Sequence, residues 1–133
     1  MKIANRLLLT VVTLVFAAGV QARNAPIVNP EKIAVTTSSG KAVSAEDVRK
    51  AIVVAGTSKG WAISNAGDGK TLRATLVVRV HTVAADIEYS ATEYSIRYKD
   101  SVNMDYKDGT IHPNYNRWIQ NLVTAIRTEL ARF

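Results

Sequence analysis

Hydrophobic and polar positions change period three times along this chain. Val48, Ala51, Ile52 and Ala55 recur at three and four positions, which places them on one face of a helix. Ser44 is suited to open that helix, because its hydroxyl can accept from the backbone of Asp47 while the Asp47 carboxylate reaches back. Val43 can then staple onto Val48, and Gly56 is expected to end the helix as its left-handed residue, with Gly60 following. From Trp61 the period becomes two. Trp61 and Ile63 alternate with Ala62 and Ser64, and residues 65–70, which include Gly67, Asp68 and Gly69, predict a turn. Leu72, Ala74, Leu76 and Val78 then point one way while Thr71, Arg73, Thr75 and Arg79 point the other, the mark of a sheet with one covered face.

No glycine or proline interrupts residues 71–90. Twenty residues of continuous strand would reach about 65 Å, too long for a domain of this size, so a turn is placed at 79–82. Val83, Ala85, Ile87 and Tyr89 line the inner face of the next strand, and Tyr94, Ile96 and Tyr98 that of the one after, with a tight turn near Ala91 and Thr92. Beyond Ser101 the chain loops through Asn103, Met104, Tyr106 and an Asp108-Gly109 turn to Pro113, which suits the first turn of a helix. Tyr115, Trp118, Ile119, Leu122, Ile126 and Leu130 return at helical spacing and carry that helix to about Ala131. The sum is an α+β fold of two layers, an antiparallel meander of three to four strands with two helices packed on one face, in the order α-β-β-β-β-α.

The N-terminal segment follows a different logic. Lys2 and Arg6 precede an apolar run at residues 7–20, and Ala22 supplies a small residue for cleavage. The run has 14 residues, whereas a spanning helix needs roughly 20, so residues 1–22 read as a cleavable signal peptide cut after Ala22. The mature chain starting at Arg23 is then periplasmic, with no permanent membrane anchor after cleavage. Pro26, Pro30, Gly40 and the cluster Thr36, Thr37, Ser38 and Ser39 mark residues 23–43 as an irregular arm, in which only 33–36 suits a short strand. Residues 44–133 form the single domain. The formal charge is +6, and fifteen basic against eleven acidic residues remain from Arg23 onward. That surplus favours polyanions and anionic surfaces, but it is not gathered in one run, and no nucleic-acid partner is expected. The absence of cysteine excludes a disulfide scaffold, a thiol nucleophile, a thiolate metal site and lipid attachment at a processed N-terminal cysteine.

Several stretches carry a resemblance: Ala51-Ile52 with Gly60-Trp61; Ile87 and Tyr89; Tyr94-Ser95-Ile96-Arg97-Tyr98; Ser101; and Ile111-His112-Pro113 with Tyr115-Asn116 and Trp118. This pattern resembles a family of small exported proteobacterial proteins, many of them lipoproteins, that have no assigned function. The resemblance covers residues 44–133 and implies export and fold. This chain departs from the family in lacking a lipidation cysteine, and the resemblance carries no catalytic residue.

Candidate chemistry is sparse. His81 and His112 lie in separate segments, and a metal would need further ligands, Asp86 and Glu88 beside His81 or Asp105 and Asp108 beside His112. The spacing matches no zinc motif, so no metal or cofactor is expected. The serines form no nucleophile elbow, no glycine loop cradles phosphate, and no carboxylate pair is marked out, which argues against an enzyme. The outer sheet face is more informative: Arg73 and Arg79 on one strand, Asp86 and Glu88 on the next, Arg97 and Lys99 on the third form a candidate interaction face. His112, Asn114, Asn116 and Arg117 are candidate anchors of the loop before the last helix. Trp118, Tyr115, Tyr94 and Tyr98 fall on buried positions and read as core rather than as a ligand platform. The expected function is a non-catalytic envelope module docking another periplasmic protein or an anionic polymer. The alternative is a small-ligand binder with a pocket between helices and sheet; the oligomeric state stays open.

Overall fold

The computed structural model describes residues 23–133 and Thr13; the rest of the segment read as a signal peptide lies outside the described residues. Helix α1 spans Ala45–Ser58 and opens on the capping box that its sequence implies. Ser44 Oγ accepts from the Asp47 amide at 3.0 Å, and Asp47 Oδ2 accepts from the Ser44 amide at 3.1 Å. These bonds, the Ser44 amide foremost, hold the Asp47 carboxyl below the usual carboxylate range. Val43 is half-buried against the core, where a staple residue belongs.

The far end of α1 corrects the expectation for Gly56. Gly56 stays inside the helix, and Gly60, at φ +85°, is the left-handed residue that ends it. Trp61 N donates to Gly56 O at 2.9 Å and Gly60 N to Thr57 O at 3.1 Å, the paired bonds of a Schellman motif. Gly56 has a packing reason instead. A Cβ there would sit 2.6 Å from Ile63 Cδ1, so glycine lets the helix lie close on the following strand.

Four antiparallel strands follow: β3 (Ala62–Asn65), β4 (Thr71–Val78), β5 (His81–Tyr89) and β6 (Glu93–Val102). Two further short strands come from the N-terminal arm, β1 (Ala25–Pro26) and β2 (Ile33–Ala34), and β7 (Thr110–Ile111) precedes the last helix. The strand count therefore exceeds the three or four expected. β2 pairs with β6, giving the order β2-β6-β5-β4-β3, while β1 and β7 make a separate two-stranded ladder. Asp68 closes the β3–β4 turn by accepting from the Thr71 hydroxyl at 2.7 Å and from the Lys70 and Thr71 amides.

Val78 pairs with His81, so the β4–β5 turn consists of Arg79 and Val80. Arg79 thus sits in the turn at φ +56° rather than on the strand face expected for it. On β6 the register slips, because Ala85 faces Tyr98 whereas Ala84 faces Asp100. Lys99 is the extra residue of this bulge and stands opposite no residue of β5.

Helix α2 (Asn114–Leu130) buries Tyr115, Ile119, Leu122, Val123, Ala125, Ile126 and Leu130. It packs with Val48 and Ile52 of α1 against Leu72, Val83, Ile87 and Ile96 of the inner sheet face, and Trp118 is only half-buried at the margin. The two-layer α+β architecture is as the periodicity implies. Pro113 is the N-cap and has no side chain to offer; His112 Nδ1 accepts from the Asn114 amide at 3.1 Å in its place. Among the described residues no helix is long and apolar enough to cross a membrane.

Two outcomes follow from this packing. Gly60→Ala forces a side chain into the left-handed region and is expected to lower stability by about 1 kcal/mol in denaturant titrations. Tyr94 is buried to 1% exposure with no partner for its hydroxyl, and burial raises its pKa to about 12. Tyr94→Phe is therefore expected to raise the melting temperature, by about 1 kcal/mol of stability. With the folded value raised, stability holds below the ordinary tyrosine range near 10 and is lost as pH climbs through about 12, so the phenylalanine variant should shed that alkaline loss. A lower melting temperature for Tyr94→Phe would contradict the assignment of an unpartnered hydroxyl.

Candidate functional site

The helices cover one face of the sheet, and the other face carries the charged residues singled out in the sequence. Arg73, Asp86 and Arg97 stand in one cross-strand row, with the acid on the middle strand. Arg73 grips Asp86 bidentately, Nε to Oδ1 at 2.8 Å and Nη2 to Oδ2 at 3.2 Å. Arg97 turns instead to Glu88, Nη1 to Oε1 at 3.4 Å, and to Glu31, Nε to Oε1 at 3.9 Å. These groups are partly to mostly exposed, so each pair adds little to stability. Their larger effect is positional, since each pair fixes where its charges stand on the face. Thr71, Thr75, Ala84 and Ser64 share the face between them. Lys99 projects from the bulge, exposed, and Arg79 lies beyond the strand in the turn.

Glu31 enters this network through the arm, which the sequence marked as irregular. The arm runs along β6: Asn29 Oδ1 accepts from the Tyr98 amide at 2.9 Å and Pro30 O from the Ile96 amide at 2.8 Å. The Lys32 amide donates to Ser95 Oγ at 2.9 Å, and Ile33 pairs with Tyr94. The prolines cost nothing here, because both serve only as acceptors. Asn116 holds the near end of the arm with its whole amide. Its Oδ1 accepts from the Val28 amide at 3.0 Å and its Nδ2 donates to Pro26 O at 2.9 Å.

The expected anchor is thus present but holds a different segment: Asn116 binds the N-terminal arm, not the loop before α2. That loop is tied by His112, whose amide donates to Met104 O at 2.8 Å. Arg117 is exposed and makes no ion pair among the described residues, and Asn114 contributes its amide to His112.

His81 and His112, far apart in sequence, meet with ring centroids 6.4 Å apart. His81 Nδ1 lies 2.6 Å from Asn103 O and so donates, whereas His112 Nδ1 accepts from the Asn114 amide, so the two rings use the same nitrogen in opposite roles. Among the described residues no group of three or more His, Asp and Glu side chains could hold a metal ion. Asp86 and Glu88 are engaged with arginines on the outer face. Tyr106, passed over in the sequence as a loop residue, stacks on Tyr98 at 4.7 Å, and Tyr98 meets Tyr115 edge-on at 5.5 Å. A surface groove of about 500 Å³ lies between the arm at Ala34, Thr36 and Ser38 and the end of α2 at Arg127, Leu130 and Ala131.

No protein-family model, no curated protein and no solved structure matches this chain.

Asn116→Ala leaves two backbone groups of the arm without partners. It is expected to lower stability by about 1 to 2 kcal/mol and to speed proteolysis within residues 23–35, read by limited digestion beside thermal melting. An unchanged melting curve would show that the clamp is not structural.

Proposed function

We propose that this chain is an exported, non-catalytic module of the cell envelope that docks another exported protein or an anionic surface polymer. The observation that carries this reading is the sheet face left uncovered by the described residues, on which Arg73, Asp86, Glu88 and Arg97 are paired through cross-strand and arm contacts before any partner arrives. Preorganised groups bind with less ordering cost than mobile ones. Arg73, Asp86, Glu88, Arg97 and Lys99 are the residues assigned to contact, with Arg79 at the end of the face. Export rests on the order of basic, apolar and small residues in 1–22, and the resemblance to a family of small exported proteins supports it.

A second reading, a small-ligand binder, is favoured by the groove beside Arg127, whose position differs from the pocket between helices and sheet expected from the sequence. Thr36 and Arg127 would give it polar contacts, and Leu130 an apolar wall. Large side chains such as Ile52, Leu72, Ile87 and Ile126 fill the space between the layers, which favours docking over internal binding.

Photo-cross-linking in cells tests the docking reading. Photoactivatable residues at Thr75 and Ala84 on the open face are expected to give adducts with one partner, and one at Gln120 on the exposed side of α2 none. Replacing Arg97 and Lys99 with glutamate is expected to weaken envelope association. Adducts absent from 75 and 84, with association undiminished in the glutamate variant, would refute the assignment.

A further inference from the structure

By covering β6 the arm becomes the margin of the five-stranded sheet, and its own far side stays open. Ile33 pairs with Tyr94, and the Val35 amide donates to Thr92 O at 2.8 Å. Alternate residues of an antiparallel strand turn their amide and carbonyl the other way, so those of Ala34 and Thr36 point away from β6. Neither the amide nor the carbonyl of Thr36 has a hydrogen-bond partner among the described residues. Ile33, Ala34, Val35, Thr36 and Thr37 include no charge and no proline, the devices by which natural edges discourage a further strand.

This open margin is one wall of the groove of about 500 Å³, and Arg127, Leu130 and Ala131 at the end of α2 form the other. The two walls are tied together beyond Thr37, where Ser38 Oγ donates to Ala131 O and the Ser39 amide to Phe133 O at 3.2 Å. Neighbouring strands lie about 4.8 Å apart, so the place of the next strand falls within the groove. Arg127 is exposed there and enters no ion pair among the described residues. Residues 1–22 contain no acidic side chain, so that segment of the chain cannot neutralise it.

Unpaired ladder groups call for extended main chain, and an unmatched guanidinium calls for a carboxylate. A small carboxylate meets only the second demand, and a phosphate-rich polymer has no amides for the first. An extended peptide with an acidic side chain meets both. We propose that the groove between residues 34–36 and Arg127 takes an extended acidic segment of a partner protein as a further strand on β2. The inference rests on the docking reading and deepens it, giving the partner a segment of stated chemistry and a seat apart from the charged face.

Two end-blocked, fluorescein-labelled peptides of alternating valine and threonine test it by titration into the full chain, one with a central glutamate and one with glutamine in that place. The glutamate peptide is expected to bind, and the glutamine peptide to bind about fivefold more weakly. Arg127→Gln should remove that difference. Thr36→Pro deletes a ladder amide and should abolish binding of both peptides. That amide has no native partner and Val35 before it continues the ladder to β6, a setting proline tolerates, so the fold is retained and is checked by circular dichroism. Thr36→Ala keeps the amide and should bind like the native chain. In hydrogen exchange the Thr36 amide should gain protection in the complex, whereas the Val35 amide is protected with and without peptide. No binding of either peptide, equal binding of both to the native chain, or undiminished binding by Thr36→Pro would each overturn the proposal. Displacement of the peptide by an equal concentration of free glutarate would overturn it in favour of a small-ligand site. Adducts from positions 75 and 84 in cells with no peptide binding would leave the docking reading standing and remove this inference; peptide binding without such adducts would uphold the groove and remove the open face.

Discussion

The free edge of β6 is the constraint on which the rest of this molecule depends. A ten-residue strand at the margin of a sheet presents a row of unpaired amides that invites other strands. Here the arm answers them one by one, with the Asn29 side chain, the Pro30 carbonyl and the two residues of β2. Asn116 and the β1–β7 ladder fix the other end of the arm, so the segment leading from the N-terminus is part of the sheet rather than a linker. Without that closure Glu31 would not stand beside Arg97, and Asn24 would not be held at Asp105.

With one face under the helices and one edge under the arm, the described residues leave open the outer face, the short β3 edge and the β4–β5 turn end. On the outer face Arg73, Asp86, Glu88 and Arg97 are paired with one another or with Glu31. The turn end is conformationally costly. Arg79, Asn103, Asp105 and Asp108 all hold positive φ around it, each a disfavoured backbone state for a side chain with Cβ. Bonds from Asn103 to Val80 and His81 help fix the arrangement. Nothing in the packing explains why position 79 is arginine rather than glycine.

Much of the fold was legible because it is local. The Ser44–Asp47 box, the change of period at Trp61 and the apolar stripe of α2 each depend on residues within a few positions of one another. What escaped depends on contacts across the chain. Gly56 and Gly60 are equally good helix terminators on paper, and only the approach of Ile63 separates them. The short strand read at 33–36 forms as β2, but its pairing with β6 has no local signal, and the bulge at Lys99 leaves none in composition. Of the candidate site, the alternating charges on β4, β5 and β6 were readable from period two, but Glu31, the target of Asn116 and the meeting of His81 with His112 required the tertiary structure.

Among the described residues the domain is closed along one edge, filled between its layers and open on one face, which is the basis of the docking reading proposed above. Native mass spectrometry of the protein isolated from its own host's envelope tests that claim most directly. The account predicts a chain beginning at Arg23 with no small molecule attached. A retained small-molecule mass would contradict docking in favour of ligand binding at the Arg127 groove, and a mass that still includes residues 1–22 would contradict cleavage after Ala22.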